Sequence, residues 1–152
     1  MQVKVKRLTE TAKLPTKAHK FDAGIDLYYD GPTMYIRPGA RVLLSTGIAV
    51  EPPQGYCLVI KDRSGIAAKC GLHVLAGVCD GTYTGEIKVC MLHTRSNFSK
   101  DGEILEVATD IKISRGDKIA QALLLPSPYV DIIEVTTLTK TDRGCNGFGS
   151  SD

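Results

Sequence analysis

The sequence predicts an all-β protein with one short helix, and two features support this fold class. Apolar side chains recur with a period of two, as at Ile87, Val89 and Met91, where polar or smaller residues lie between them. Clusters of Gly, Pro, Asp and Ser separate such runs at short intervals. Many short strands with regular turn signals are typical of a β-sandwich, a β-barrel or a jelly roll.

The predicted strands can be placed in chain order. They lie at residues 3–5, 42–50 with interruptions, 58–60, 87–91, 104–107, 111–113, 119–125 and 130–135. Turn-forming segments occur between them at 31–32, 37–39, 51–53, 100–102, 114–116 and 126–128. Glycine and proline in these segments favour the backbone angles that turns require.

A different pattern covers Ser64 to Gly71. Ser64 is a suitable N-cap residue, helix formers follow, and Gly71 is a suitable C-terminal stop, which predicts a helix of about two turns. The start of a helix presents backbone N–H groups and the positive end of a dipole, which suit a phosphate group. An ordinary loop helix fits the same pattern, and both interpretations stay open.

Length and composition indicate one soluble globular domain. The chain has 152 residues, of which 43% are hydrophobic and 24% are charged. No apolar run approaches the roughly 20 residues that a membrane helix needs, and residues 1–6 do not resemble a secretory signal. We therefore expect an intracellular protein with no membrane partner.

Charge and cysteine content exclude several function classes. The net charge of +2 is too balanced for a dedicated duplex-binding protein, although residues 1–20 carry a local charge of +5. A solvated edge strand with protective lysines explains this segment better than phosphate contact does. The five cysteines form no C-x-x-C pair and the three histidines lie far apart, so reduced thiols are expected and a zinc site is not.

The segment from Lys140 to the end is rich in glycine and serine. Such a composition does not pack a core, so we divide the chain into a β domain at 1–139 and a mobile tail at 140–152. The tail lacks the pattern of a P-loop and follows no βαβ unit. Arg143 and Phe148 are consistent with a closing lid, and a flexible end is the alternative.

Five segments together resemble the trimeric dUTP pyrophosphatase family. In chain order they are Ala23–Tyr28, Asp62–Ala67, Ala76–Glu86, Arg115–Gln121 and Arg143–Ser151. The resemblance covers residues 23–151 and departs from the family pattern at Cys79, at Gly81-Thr82 and at Lys118. Gly81 is expected to loosen the turn of the third segment.

The resemblance implies a jelly-roll-like β-barrel subunit that assembles as a homotrimer with active sites shared between subunits. It implies hydrolysis of dUTP to dUMP and pyrophosphate, with Mg²⁺ as cofactor, which keeps uracil out of DNA and supplies dUMP for dTMP synthesis. It implies no stable binding of nucleic acid.

The third segment is implied to hold the nucleoside and the catalytic base. Asp80 would orient and deprotonate the attacking water, since a carboxylate in water is ionised at neutral pH. Tyr83 would pack against the deoxyribose and leave no room for a 2′-hydroxyl. The main chain at Gly77, Val78 and Cys79, and near Lys88, would pair with the uracil edge, because backbone groups of fixed geometry can read a base.

The remaining segments are implied to hold the triphosphate. Ser64, Gly65 and Gln121 would contact the phosphate chain, and Asp26 would reach Mg²⁺ through its waters. Arg63 is expected to form an ion pair with Asp117 that braces the loop. In the tail, Arg143 is implied to contact the γ-phosphate and Phe148 to contact the uracil ring. Gly149, which has no side chain, is implied to let the backbone fold tightly around the nucleotide.

Three other functions remain possible on sequence alone. A dCTP deaminase shares the implied fold, but its second segment usually reads Arg-Ser-Ser and its base is a glutamate. A non-catalytic nucleotide sensor would need the binding residues without the chemistry. A barrel that binds single-stranded nucleic acid would need several exposed aromatic side chains, and the chain has only nine aromatic residues in all.

Overall fold

The computed structural model describes residues 1–94, 96–98, 104–107 and 109–145, with only the backbone described in the second and third ranges. Twelve strands and one helix lie in these ranges. They are β1 (Lys4–Arg7), β2 (Ile25–Tyr28), β3 (Met34–Ile36), β4 (Arg41–Glu51), β5 (Tyr56–Lys61), α1 (Ser64–Cys70), β6 (Leu72–Leu75), β7 (Val78–Cys79), β8 (Glu86–His93), β9 (Ser96–Phe98), β10 (Ile104–Val107), β11 (Ile111–Ile113) and β12 (Lys118–Pro126).

The described strands form four open antiparallel sheets. One four-stranded sheet has the order β1-β4-β8-β6, and the other has the order β2-β12-β5-β7. Two small ribbons pair β3 with β11 and β9 with β10. The prediction of an all-β subunit with one short helix is confirmed. No closed barrel is present in the described ranges, and the jelly-roll arrangement and the trimer stay predictions.

Most of the core is formed by side chains of the two four-stranded sheets, and the β3–β11 ribbon adds Ile36 and Ile113. On β8, Ile87, Val89 and Met91 are buried, and on β5 Leu58 and Ile60 are buried. All of them belong to one apolar cluster that includes side chains of both sheets. The period-two pattern in the sequence therefore marked the inward faces of these strands correctly.

The long strand β4 contains a β-bulge, which explains the interrupted alternation in this part of the sequence. Its pairing with β8 shifts between Ser45 and Ala49, and Gly47 between them has a φ of 65°, a conformation that glycine adopts without steric cost. The side chain of Glu86 accepts a hydrogen bond from the Gly47 amide at 3.0 Å. The bulge thus connects β4 to the first residue of β8.

Asp30 ties the N-terminal segment to the rest of the fold. Its carboxylate accepts hydrogen bonds from the hydroxyls of Thr9 and Thr11, and Arg115 Nε lies 3.4 Å from its Oδ1. Burial raises the pKa of Asp30, but the two hydroxyl bonds and the charge of Arg115 outweigh that effect and hold the pKa below its ordinary value. The ionised carboxylate therefore stabilises the attachment of residues 9–12.

Two predictions about local structure are wrong. The segment 130–135 forms no strand, because prolines at 126 and 128 end β12 and no described strand pairs with the residues that follow. The helix begins one residue earlier than predicted. Arg63 is the N-cap, without a side-chain capping bond, and Ser64 is the first helical residue. Gly71 ends the helix in the left-handed conformation, as predicted.

Three further features of the described ranges concern the basic N-terminal strand, the cysteines and the helix. The basic strand β1 lies at the edge of its sheet, as expected for a solvated edge strand. All five cysteines are free thiols. No helix in the described ranges has the length and the apolar composition needed to cross a membrane.

Candidate active site

Strand β7 and the turn that follows it build the first of two cavities, which we call the hairpin cavity. It has a volume of about 360 Å³. Leu43, Ile60 and Ile87 give it apolar walls. The predicted site residues that line it are Val78, Cys79, Asp80, Tyr83 and Lys88. The third sequence segment therefore places apolar side chains and two carboxylates, those of Asp80 and Glu86, around a space large enough for a small ring system.

Two backbone features fix the chain segment that leads into the hairpin. Ala76 has a φ of 54°, a left-handed conformation that is uncommon for a residue with a Cβ and that costs free energy. Gly77 lies directly on β5, where its carbonyl accepts a hydrogen bond from the Ile60 amide at 2.6 Å and a Cβ would collide with the Ile60 carbonyl oxygen. The close approach fixes the main chain of residues 76–78 at the cavity wall.

The turn of the hairpin holds Asp80 and Tyr83 in fixed relation. The Tyr83 amide donates to the Asp80 carbonyl at 3.0 Å, and the Tyr83 hydroxyl donates to the Glu86 carbonyl at 3.0 Å. Gly85 has no Cβ, and one placed there would collide with the Tyr83 hydroxyl. The aromatic ring is thus held across the turn and not left free to rotate away.

Gly81 packs closely against the segment at the start of β5, and its expected effect on the looseness of the turn stays a prediction. A Cβ at this position would collide with the carbonyl oxygen of Tyr56, and Pro52 lies just beyond. The tip of the turn therefore rests against the loop between β4 and β5. The glycine permits this close contact, which supports the position of the neighbouring Asp80.

Cys79 is a half-buried thiol beside Asp80. Burial raises its pKa above the ordinary value, and the negative charge of Asp80 and the thiol of Cys57 raise it further. The side chain therefore stays protonated at neutral pH. Since the thiolate is the reactive form of cysteine, Cys79 acts in this cavity as a small apolar group.

A second space, which we call the cationic cavity, lies at the start of α1. It has a volume of about 430 Å³, and its polar lining includes Asp26, Arg63, Ser64, Gly65, Lys118 and Gln121. The first amides of an α-helix have no carbonyl partner within the helix. A Cβ placed on Gly65 meets no described atom within 4 Å, so the packing of this chain leaves open space at the helix start.

Arg63 forms its ion pair with Asp26, so the prediction of a pair with Asp117 is wrong. Arg63 Nε lies 2.9 Å from Asp26 Oδ1, and Lys118 Nζ lies 2.6 Å from Asp26 Oδ2. The bond to Asp26 is the largest influence on Lys118 and raises its pKa. The side chain of Asp117 instead accepts the Ser114 amide at 2.8 Å and closes the turn before β12.

Gln121 lies at the back of the cationic cavity. Its Nε2 donates to the Asp62 carbonyl at 2.7 Å, and β12 places it opposite Asp26 on β2 and Lys61 on β5. Gly24 is required beside it, because a Cβ there would collide with the Gln121 side chain. Four of the five similar segments thus supply the two cavities, with Gly24 and Asp26 from the first.

Most of the predicted site residues line the hairpin cavity, the cationic cavity and a third cavity of about 560 Å³, which Gly77, Val78 and Gln121 line together. Among the described residues, none lines both the hairpin cavity and the cationic cavity. Arg143 is exposed and lines neither of them, while Phe148 and Gly149 lie outside the described residues. Lys118 and Glu86 were missed as site residues; only the register of β12 with β2 and the bulge at Gly47 reveal them.

Asp26 is the residue implied to contact Mg²⁺, and its surroundings decide which kind of contact it can make. The described ranges contain no group of three or more His, Cys, Asp or Glu residues that could bind a metal ion directly. The carboxylate of Asp26 is 13% exposed at the cationic cavity, and its two oxygens offer about four acceptor sites in total. One bond to Arg63 and one to Lys118 leave acceptor capacity for the waters of a hydrated ion. An indirect contact therefore fits, and direct coordination by several protein ligands does not.

Solved structures with the same fold include two phage proteins. The dUTPase of Staphylococcus bacteriophage 80alpha, in a structure with dUPNHPP, is 28% identical, with a TM-score of 0.85 and coverage of 99% of this chain and 98% of that one. A mutant dUTPase from phage phi11 of S. aureus, described with a structural Mg(II) ion, is 27% identical, with a TM-score of 0.76 and coverage of 92% and 100%.

Sequence comparison gives the same result over nearly the whole chain. The deoxyuridine 5′-triphosphate nucleotidohydrolase of Corynebacterium diphtheriae is 41% identical over 151 residues, which are 98% of this chain and 91% of the relative. The model of the dUTPase family matches residues 10–152. The chain described here therefore belongs to the dUTPase family.

Proposed function

We propose that this protein hydrolyses dUTP to dUMP and pyrophosphate. The observation that carries the proposal is the pair of cavities. One combines apolar walls with the carboxylates of Asp80 and Glu86, and the other combines three cations and two carboxylates with a helix start. The first suits a nucleoside and a water, and the second suits a triphosphate. In the cell the reaction would keep uracil out of DNA and supply dUMP for dTMP synthesis.

Asp80 is proposed as the catalytic base. Its carboxylate lines the hairpin cavity, and the turn that carries it is fixed by the Tyr83 amide and by the contact of Gly81 with Tyr56. A carboxylate in this position can accept a proton from a water that attacks the α-phosphorus. The oxygen of that water forms the new bond to phosphorus, and the bond to the bridging oxygen breaks as pyrophosphate leaves.

Recognition of deoxyuridine is proposed to use the same hairpin. The main chain at Gly77, Val78 and Cys79 and near Lys88 would bond to the uracil edge, and Ile60 would contact one face of the ring. Tyr83 would lie against the deoxyribose. Because its hydroxyl is tied to the Glu86 carbonyl, its ring cannot shift easily to admit a 2′-hydroxyl.

The triphosphate is proposed to bind in the cationic cavity. The guanidinium of Arg63 uses Nε for Asp26, and its two terminal amino groups can serve phosphate oxygens. Ser64, Gly65 and Gln121 would add neutral donors. Mg²⁺ bound to the phosphates would neutralise part of their charge, and Asp26 would contact it through water.

Assembly as a homotrimer with shared active sites is proposed on two observations. No described residue lines both the hairpin cavity and the cationic cavity, and a second copy would bring the hairpin of one chain to the phosphate site of another. The C-terminal arm, which we define as residues 129–138, exposes large apolar side chains: Tyr129 is 88% exposed, Ile132 94% and Leu138 86%. Contiguous apolar surface of this kind typically lies in a protein–protein interface.

The tail at 140–152 is proposed to act as a lid on the shared site. Arg143 would bind the γ-phosphate, Phe148 would stack on uracil, and Gly149 would allow the backbone to fold closely around the nucleotide. Closure over bound substrate would exclude bulk water during the reaction. An intracellular location is part of the same proposal, since the substrate is a cellular nucleotide.

The decisive experiment measures pyrophosphate release with Mg²⁺ from dUTP, dCTP, dTTP and UTP, with the products identified. Rapid cleavage of dUTP alone to dUMP is the expected result. Deamination of dCTP would assign the chain to the deaminase branch of this fold instead. Tight binding of dUTP without turnover would replace the enzyme by a nucleotide sensor.

A further inference from the structure

We propose that Asp62 is a positioning residue that fixes the triphosphate site, and that His73 is its partner in this role. Asp62 follows the last residue of β5 and immediately precedes Arg63, the N-cap of α1. The inference rests on the proposed function of the cationic cavity. Asp62 does not line that cavity, so it would act through its neighbours.

The carboxylate of Asp62 is attached to β6 at two points. Oδ1 accepts a hydrogen bond from the Val74 amide at 2.5 Å, and Oδ2 lies 2.9 Å from Nδ1 of His73. Both oxygens are therefore used within the protein. A carboxylate held in this way fixes its own backbone with respect to the neighbouring strand.

The carbonyl of Asp62 makes a third connection. It accepts the hydrogen bond from Gln121 Nε2 at 2.7 Å, so one residue links the start of α1, strand β6 and strand β12. Arg63 and Gln121 both line the cationic cavity. A shift of Asp62 would thus move two proposed phosphate contacts at once.

The helix itself provides little other anchorage. None of the seven residues of α1 is buried, and no side chain in the described part of the structure caps its N-terminus. Ile66 is the one large apolar residue of α1, and it packs partly against the core cluster. Besides the ion pair of Arg63 with Asp26, the position of Arg63 and Ser64 therefore depends on the bonds made by the preceding Asp62. Displacement by about 1 Å at such a site can reduce activity by roughly a hundredfold.

The test separates triphosphate binding from nucleoside binding. Inhibition of dUTP hydrolysis by inorganic triphosphate and by deoxyuridine is measured for the full chain and for Asp62→Ala, Asp62→Asn and His73→Ala. We expect Asp62→Ala to raise the inhibition constant of triphosphate by about tenfold or more and to change that of deoxyuridine less than about twofold. Asn should restore most of the affinity, because its amide can accept from Val74 and donate to a neutral His73.

Two further variants make the test specific to the Asp62 network. His73→Ala should change triphosphate inhibition in the same direction by a smaller factor, and this variant decides the question if Asp62→Ala does not fold. Asp110→Ala is the matched control, because Asp110 is an exposed carboxylate outside both cavities. Equal weakening of both inhibitors, or no weakening of either, would overturn the role of Asp62.

Arg63→Ala distinguishes a failure of the positioning role of Asp62 from a failure of the proposed phosphate site. If Arg63→Ala weakens triphosphate inhibition and the Asp62 and His73 variants do not, the positioning role is wrong and the proposed phosphate site stands. If Arg63→Ala has no effect, the cationic cavity is not the triphosphate site, and the inference about Asp62 is overturned with it.

Discussion

At the scale of single residues, Asp80 has the most direct chemical role in the proposed mechanism. We expect Asp80→Asn to keep its affinity for dUTP, because the amide preserves the size and shape of the side chain. Turnover should fall by at least about a hundredfold, because the amide cannot accept the proton of the attacking water. Single-turnover rates and calorimetric titration with dUPNHPP measure the two quantities separately. Near-normal turnover would remove Asp80 from the mechanism, and Asp110→Asn serves as the control.

Gly65 offers a test in which stability and function move in opposite directions. It is the second residue of α1 and has open space where a Cβ would lie. Alanine favours a helix interior by up to about 1 kcal/mol over glycine, so Gly65→Ala should fold at least as stably as the parent. If the open space is filled by phosphate, the new methyl group should raise KM for dUTP severalfold. Thermal melts and steady-state kinetics test the pair of outcomes. An unchanged KM would mean that no substrate approaches Gly65.

Tyr83 is expected to control sugar selectivity through its ring. Tyr83→Ala should increase hydrolysis of UTP relative to dUTP, because space opens for a 2′-hydroxyl. Tyr83→Phe keeps the ring and loses only the hydrogen bond to the Glu86 carbonyl, so it should retain most of the discrimination. The ratio of kcat/KM for the two nucleotides is the measurement. Identical ratios in the parent and in Tyr83→Ala would place the selectivity elsewhere.

At the scale of elements, Asp30 makes the attachment of the N-terminal segment sensitive to pH. Burial raises the pKa of Asp30, but the bonds from Thr9 and Thr11 and the charge of Arg115 outweigh burial and leave the pKa below its ordinary value. Its contribution is therefore present above the unfolded-state pKa of about 4 and is lost as the pH falls through the folded-state pKa. Asp30→Asn should lower Tm at pH 7 by about 3–5 °C.

The difference in Tm between parent and Asp30→Asn should become smaller as the pH falls below about 4. Thermal melts of both proteins from pH 7 to pH 3 test this. A constant difference across that range would mean that the ionisation of Asp30 does not stabilise the fold. Glu10→Gln is a suitable control, since Glu10 is an exposed acid in the same segment.

The elements that could be predicted from the sequence are those whose own pattern determines burial. Strand β8 alternates clearly, β5 and β12 are short apolar runs, and the structure confirms all three as strands. Strands β2, β3 and β6 were not predicted; each has only three or four residues, so a period of two is weakly marked, and β10 and β11, which are as short, were nonetheless predicted. Helix α1 was predicted from its ends, and the capping residue was misplaced because the observed N-cap, Arg63, makes no side-chain capping bond.

The partners of site residues were harder to predict than the residues themselves. Asp80, Tyr83 and Gln121 were named from their segments, and the structure places each of them at a cavity. The pairing of Arg63 with Asp26 depends on the register of β12 between β2 and β5, which no local pattern encodes. The network around Asp62 likewise depends on where β6 begins.

At the scale of the whole molecule, the C-terminal arm explains why one sequence prediction failed. Residues 130–135 carry the β-branched and apolar residues of a strand, yet they pair with no described strand of their own chain. A pattern that favours burial together with high exposure in a single chain agrees with the proposed assembly, in which a second copy would cover these side chains. The apolar pattern is therefore better explained by an interface than by an additional strand of the subunit.

Sharing of active sites between subunits can be tested by complementation. Asp80→Asn damages the hairpin cavity and Arg63→Ala damages the cationic cavity, so each variant alone should be nearly inactive. If every site takes its hairpin from one subunit and its phosphate site from the next, each trimer that contains both variants should have about one intact site in three. The two variants, carrying different tags, are produced together, purified by both tags and assayed for dUTP hydrolysis.

The control for this experiment combines two defects in the same cavity. Mixed assemblies of Asp80→Asn and Tyr83→Ala have a damaged hairpin at every site, because each subunit carries one of the two changes, and they should gain no activity over the separate variants. Recovery in the first mixture and not in the second requires that one site is built from two chains. If neither mixture recovers, each chain must hold a complete site, and the separation of the two cavities would have to be closed by movement within the subunit.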